Sequence, residues 1–181
     1  RVQILQTLAS MLEQPGAERI TTAALAARLD VSEAALYRHF ASKAQMFEGL
    51  IEFVETTIFT LANKVQSAET DGVAQAEQIV SMLLGFAQKN PGMTRVLVGD
   101  ALVNEDERLQ VRMNQMYDKL EATLRQSLRT AQMANAWHGD PSSDAAALFA
   151  FVMGRWILFA KSGFKRLPQD GWEGQRKFLF D

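Results

Sequence analysis

Along the whole chain, apolar side chains recur at spacings of three and four residues, and nowhere do they alternate with period two for long enough to make a sheet. That pattern excludes β architectures and predicts an all-α protein. Breakers and caps divide it. A first helix is expected over about 1–14, with Val2, Leu5, Leu8, Met11 and Leu12 on one side and Pro15-Gly16 as its stop. Thr21 or Thr22 can cap a second helix reaching Leu29, and Ser32 a third reaching about His39. Ser42 caps a long fourth helix over 43–67, which ends before Thr70-Asp71-Gly72. A fifth runs from Val73 to Lys89, where "NPG" at 90–92 breaks it. A short sixth over 93–103, a long seventh from Glu105 to Met133 capped by Asn104, an eighth over 143–162 and a ninth after "RLPQDG" complete the chain. The expected architecture is a three-helix head, residues 1–45, followed by a six-helix body, residues 46–181.

Composition narrows the class. Of the 181 residues, 48% are hydrophobic and 22% charged, which fits a globular, soluble chain. No charge-free apolar run approaches the roughly 18 residues of a membrane span, since "AAALFAFVMG" at 145–154 stops at Arg155. The amphipathic start, with Gln3 and Gln6 among its apolar positions, does not resemble a signal peptide. Cysteine is absent, which excludes disulfides and thiolate chemistry and fits a reducing cytoplasm. A formal charge of −2 recommends neither nucleic acid nor anionic membrane.

The stretch "RITTAALAARLDVSEAALYRHFASK", residues 19–43, makes two helices too small to enclose a core alone. Leu25, Ala26, Leu29, Val31, Leu36 and Phe40 fall where they can share a small core with the first helix. Ala26 suits a close crossing, and Asp30 occupies a turn that often requires positive φ. With Leu36 inward, at about 100° per residue Ala34, Tyr37 and Arg38 point away, with Ala35 at their edge. Such a face is poor as solvated surface and suits a groove. Alanines admit the backbone to base edges, Arg38 can reach guanine acceptors, and Tyr37 and His39 can touch phosphate. Ser32 and Ser42 add hydroxyls at helix starts that favour anions, and Lys43 a cation beside the second. This is the geometry of a helix-turn-helix whose second helix lies in the major groove. Charge within residues 1–48 balances to zero, so such a head would hold phosphate by local placement unless a basic arm precedes Arg1. The chain begins abruptly inside a helix, and the sequence leaves open whether such an arm precedes it.

The same residues carry a resemblance. "ITTAALAARLDVSEAALYRHFASK" is similar to the DNA-binding segment of TetR-family regulators: a capped helix, an alanine, a turn, a Val-Ser cap, then Leu-Tyr-x-His-Phe-x-Ser-Lys. Asp30 stands where that family usually has glycine, and aspartate tolerates the left-handed conformation. The resemblance implies Thr22, Tyr37, His39 and Lys43 on the phosphates and Glu33, Ala34, Ala35 and Arg38 nearest the bases. Thr21 and Ser32, at the helix starts, complete the DNA-facing set. It also implies a homodimer reading palindromic double-stranded DNA, with the last two helices pairing across a two-fold axis. Segments such as "LLGFAQKNPGMTRVLVGDAL" and "RLQVRMNQMYDKLEATLRQSLR" narrow the likeness to the nucleoid-occlusion branch of the family, up to about residue 129, after which it fades. That branch implies a second partner, the tubulin-like division protein FtsZ, and no obligatory small-molecule effector.

A protein-binding surface is legible in the body as well. On the fourth helix Phe47, Leu50, Ile51, Val54, Ile58, Leu61 and Val65 form a core stripe, while Phe53 sits about 120° from its centre with Met46 beside it. On the fifth, Ile79, Leu83 and Phe86 face inward, and Gly85 and Lys89 lie to one flank next to Met82. A glycine in mid-helix costs about 1 kcal/mol relative to alanine, so either another backbone approaches there or the bundle packs tightly. The expected partner groove has Phe53 and Met82 as apolar walls, Gly85 as its close approach, and Lys89 and Asn90 as polar contacts. The eighth helix, apolar on nearly every face, calls for a second chain or for burial under the ninth through Trp172 and Phe178.

Catalytic chemistry has no constellation. His138 and Asp140 in "AWHGDP" are more simply a solvated loop than a metal site, "NEDER" at 104–108 compensates a helix dipole, and no phosphate loop with its lysine follows. No enzyme, cofactor or metal is expected. A drug-sized cavity lined by Met82, Phe86, Met93, Met113, Met116 and Tyr117 would instead mark a ligand-responsive repressor.

Overall fold

Six helix starts carry the short polar side chain that their exposed N–H groups require. In the computed structural model, which describes residues 1–14 and 19–181, α1 is Val2–Leu12, α2 Thr22–Leu29, α3 Glu33–Tyr37, α4 Lys43–Ala68 and α5 Gly72–Lys89. They are followed by α6 Pro91–Leu97, a 3-10 turn Asp100–Leu102, α7 Glu107–Met133, α8 Pro141–Lys161 and α9 Trp172–Phe180. Thr21, Ser32, Ser42, Asp71, Asp106 and Asp140 each accept from a backbone amide of the first turn. Among the described residues there is no strand.

Most departures from expectation lie at ends and loops. The Pro15-Gly16 stop lies outside the described residues, and α1 closes at Leu12 with Glu13 as its C-cap. Its buried side is Ile4, Leu8 and Leu12; Val2 is exposed because the face is centred on Ile4. α3 ends at Tyr37, two residues before His39. The expected sixth helix is cut at Gly99, whose φ of 87° leaves the helical region, and Pro91 takes the first helical position, where its missing N–H costs nothing. Asn104 is no cap: it sits at φ 69°, and Asp106 caps α7. α8 begins two residues early, at Pro141.

The head core forms where α1, α2 and α3 meet, from Ile4, Leu8, Leu12, Ile20, Leu25, Ala26, Leu36 and Phe40. Leu29 is half-buried and Val31 exposed, because the turn that begins at Asp30 carries residue 31 outward. Asp30 adopts the left-handed conformation (φ 54°, ψ 47°), and the amide after it donates back to Ala26 O at 3.0 Å. α4 belongs to both halves: a Cβ on Gly49 would lie 3.2 Å from Leu5 and 3.3 Å from Phe40, whereas Val54 and Ile58 are buried further along.

In the body, α5, α7 and α8 pack around Trp156, which is wholly buried and donates its indole N–H to Leu83 O at 3.0 Å. Phe149 meets Trp156 edge-on at 6.4 Å and Tyr117 at 5.6 Å, and Tyr117 donates to Leu97 O. Met113 and Met116 are buried in the same cluster. In α4, Leu61 and Val65 are only half-buried and Ala62 takes the core position, so the stripe drifts around the helix. Met46 is buried and does not flank Phe53.

α8 is long and apolar enough to cross a membrane by length and composition alone, a departure from the sequence expectation. Its Leu148, Val152, Trp156 and Phe159 are buried, yet only 28% of its apolar window is covered. α9 buries no residue and leaves Phe178 89% exposed, so it does not cover α8 in the way expected; Trp172 does pack on Phe151 at 6.2 Å.

Candidate nucleic-acid and partner interfaces

The element expected to read DNA is α3 with its C-cap. Leu36 is 1% exposed, which turns Ala34, Tyr37 and Arg38 outward and leaves Ala35 at the edge. His39 is exposed beside them, and Arg1 donates to its carbonyl at 3.3 Å while lying 4.5 Å over the Phe40 ring. Thr21 accepts from Ala24 N at 3.1 Å and Ser32 from Ala35 N at 3.2 Å, so both hydroxyls stand at helix starts as expected.

Two ties lay beyond the sequence. Thr22 Oγ1 donates to Glu33 Oε2 at 2.8 Å, and Tyr37 OH donates to Thr22 Oγ1 at 3.4 Å. This chain fastens α3 to the start of α2 and places the Tyr37 and Thr22 hydroxyls together, with the Glu33 carboxylate turned to Thr22. Lys43 Nζ pairs with Glu105 Oε1 at 2.7 Å, with side chains only 21% and 9% exposed. A cation at a helix N-terminus opposes the dipole, and the Glu105 carboxylate offsets it. Lys43 thus sits at the start of α4 while tied to the entry of α7.

The body carries an open groove of about 380 Å³. Met82, Gly85, Phe86, Lys89 and Asn90 of α5 and its C-cap line it with Ser81, Leu61 of α4, and Gln169 of the α8–α9 loop. Four of the five expected partner residues therefore converge. Phe53, 48% exposed, stands outside the lining, and Leu61 holds the α4 wall instead. Asn90 Nδ2 donates to Phe86 O at 2.8 Å, and among the described residues no carboxylate pairs with Lys89. Sequence reasoning placed Leu61 in the core stripe, and no local signal pointed to Gln169.

Other chemistry is thin. Asp140 accepts from the side chain and backbone of Ser143, which hold its carboxyl below the usual range, and His138 is exposed nearby. Among the described residues no cluster of three metal-ligating side chains occurs. The Tyr117 phenol is pushed up by burial. None of the clefts described is lined by Met93, Met113, Met116 or Tyr117, whereas Met82 and Phe86 line the open groove.

A helix-turn-helix with a small outward face, set on an all-α body with an under-covered α8–α9 surface, defines a DNA-binding regulator of the TetR type. The pattern described as bacterial regulatory proteins, tetR family, matches residues 4–50. The solved TetR-family regulator PfmR from Thermus thermophilus superposes with a TM-score of 0.83 over 98% of this chain and 97% of its own, at 17% identity, a likeness of fold alone.

Within that class the chain belongs to the SlmA family. The SlmA-like pattern, described as a tetracyclin repressor-like C-terminal domain, matches residues 70–181. The nucleoid occlusion factor SlmA of Alteromonas mediterranea is 47% identical over 177 residues, covering 97% of this chain and 91% of that protein. Its counterpart from Marinomonas sp. is 48% identical over 179 residues, covering 97% and 90%. The expectation that the likeness fades after about residue 129 is corrected: it continues through α8 and α9.

Proposed function

We propose that the protein is a nucleoid occlusion factor: a cytoplasmic, nucleoid-associated homodimer that binds palindromic chromosomal sites and antagonises FtsZ assembly over the DNA. The observation that carries this reading is identity of 47–48% to nucleoid occlusion factors over 97% of the chain, head and body alike. Residues 1–45 act as the DNA-binding head and 46–181 as the body, with α4 shared between them. In the head, Arg38 with Ala34, Ala35 and Glu33 faces the bases, and Thr21, Thr22, Ser32, Tyr37, His39 and Lys43 line the phosphates. Two recognition helices, paired through α8 and α9, read half-sites about one DNA turn (~34–36 Å) apart. In the body, FtsZ docks in the groove at Met82, Gly85, Lys89 and Asn90, with Phe53 a more distant contact on α4. Neither a catalytic step nor a cofactor enters this scheme, and Trp156 at the centre of the body is wholly buried.

Sedimentation of purified FtsZ filaments tests the proposal. With this protein and a cognate duplex, pelletable polymer should fall; with a random duplex or no duplex it should persist. Unchanged polymer in every arm rejects the function.

A further inference from the structure

One wall of the groove comes from neither α4 nor α5. Gln169 lies over the only α5 position in the groove without a side chain: a Cβ on Gly85 would stand 3.1 Å from its Nε2. That Nε2 donates to Ser81 O at 3.4 Å, and the Gln169 backbone N–H donates to Gln88 Oε1 at 3.2 Å. A guanidinium gathers the loop's carbonyls. Arg155 donates to Leu167 O at 3.0 Å, Pro168 O at 3.2 Å and Asp170 O at 3.1 Å, and among the described residues no carboxylate pairs with it. A planar fork of donors can collect three carbonyls where an ammonium cannot hold the same geometry. Pro168 is buried beneath the loop and Gln169 is exposed.

We infer that the α8–α9 loop is part of the partner-docking surface, with Gln169 a contact residue and Arg155 the residue that positions it. The inference rests on reading the groove as the site for FtsZ. Leu61, Met82 and Phe86 supply apolar lining, Lys89 is its one charged side chain, and the Gln169 and Asn90 amides are its polar groups. That combination fits an extended segment carrying apolar side chains and a carboxylate: the carboxylate meets Lys89, the apolar groups meet the lining, and the Gln169 amide bonds the segment's main chain. Gly85 is then glycine because the Gln169 amide needs the space.

Binding of FtsZ to the full-length dimer on cognate duplex tests this, with duplex affinity measured in parallel. Lys89→Glu should weaken FtsZ binding, which establishes the groove. Gln169→Ala, a surface truncation that leaves the fold intact, should weaken it by about tenfold. Arg155→Ala should weaken it comparably, and the double variant should bind no worse than the poorer single, because both changes remove the same contact. Duplex affinity should be unchanged throughout. Wild-type binding by Gln169→Ala while Lys89→Glu is impaired overturns the inference and leaves the groove standing; so do losses that multiply in the double variant. Binding that no groove variant affects overturns the site itself along with the inference.

Discussion

The Arg38 side chain makes no hydrogen bond or ion pair among the described residues, although it stands at the C-terminal end of α3. An exposed cation flanked by alanines and Tyr37 is free to reach base edges. Arg38→Ala should lower affinity for the cognate duplex by roughly 5- to 150-fold, about 1–3 kcal/mol, with a smaller change on random DNA. Fluorescence anisotropy at fixed salt measures both; equal losses on the two duplexes would instead assign Arg38 to phosphate. Lys43 is the opposite case, because its ammonium is already engaged by Glu105. Glu105→Ala should cost about 1–2 kcal/mol in urea unfolding, since it leaves a part-buried cation unpaired, and should not weaken DNA binding. Lys43→Ala should reduce both stability and duplex affinity.

Two glycines of α5 should answer alanine substitution with opposite signs. A Cβ on Gly72 would overlap the Ser127 carbonyl and the Ala131 amide of α7, both backbone atoms. The helices would have to separate, at about 1–3 kcal/mol. A Cβ on Gly85 meets only the end of the flexible Gln169 side chain, and alanine gains up to about 1 kcal/mol of helix propensity there. Thermal melts should therefore fall for Gly72→Ala and hold or rise for Gly85→Ala, with FtsZ binding reduced in the second. Helix starts also set a pH limit. The side-chain hydrogen bond from Arg108 holds the Asp106 carboxyl below its usual value, as that from Ser143 does for Asp140. Groups depressed in this way stabilise above the unfolded carboxylate value of about 3.9 and lose that contribution as pH falls through the folded one. Hydrogen exchange at the starts of α7 and α8 should rise in that acid window and be flat above it.

Taken as a whole, the chain leaves most of α8 and all of α9 incompletely covered. An apolar face of that extent is the surface a two-fold partner would bury. Gly154 gives a clean test, because a Cβ there meets nothing within 4 Å in the single chain. Gly154→Arg should leave the helix content of the chain unchanged, yet lower its melting temperature by the lost association, shift sedimentation equilibrium toward monomer and weaken binding to a palindrome far more than to a single half-site. A dimer of wild-type strength in that variant would move the interface elsewhere. At the same scale, α4 begins beside the head and continues into the body, where its Leu61 lines the groove.

Much of this protein is local physics, and the sequence by itself determined it. Helix periodicity, the caps at Thr21, Ser32 and Ser42, the left-handed Asp30 and the outward set of Ala34, Tyr37 and Arg38 each depend on residues a few positions apart. Met82, Gly85, Lys89 and Asn90 were legible for the same reason, since one helix flank is a matter of spacing. What only the tertiary structure decided are the meetings of distant segments: Lys43 with Glu105, Gln169 with Gly85, and Leu61 in the place expected for Phe53. These follow from how far each helix is rotated about its axis and where a loop is tethered. Such rotations and tethers are fixed by the packing of the whole core, which no short window of sequence contains.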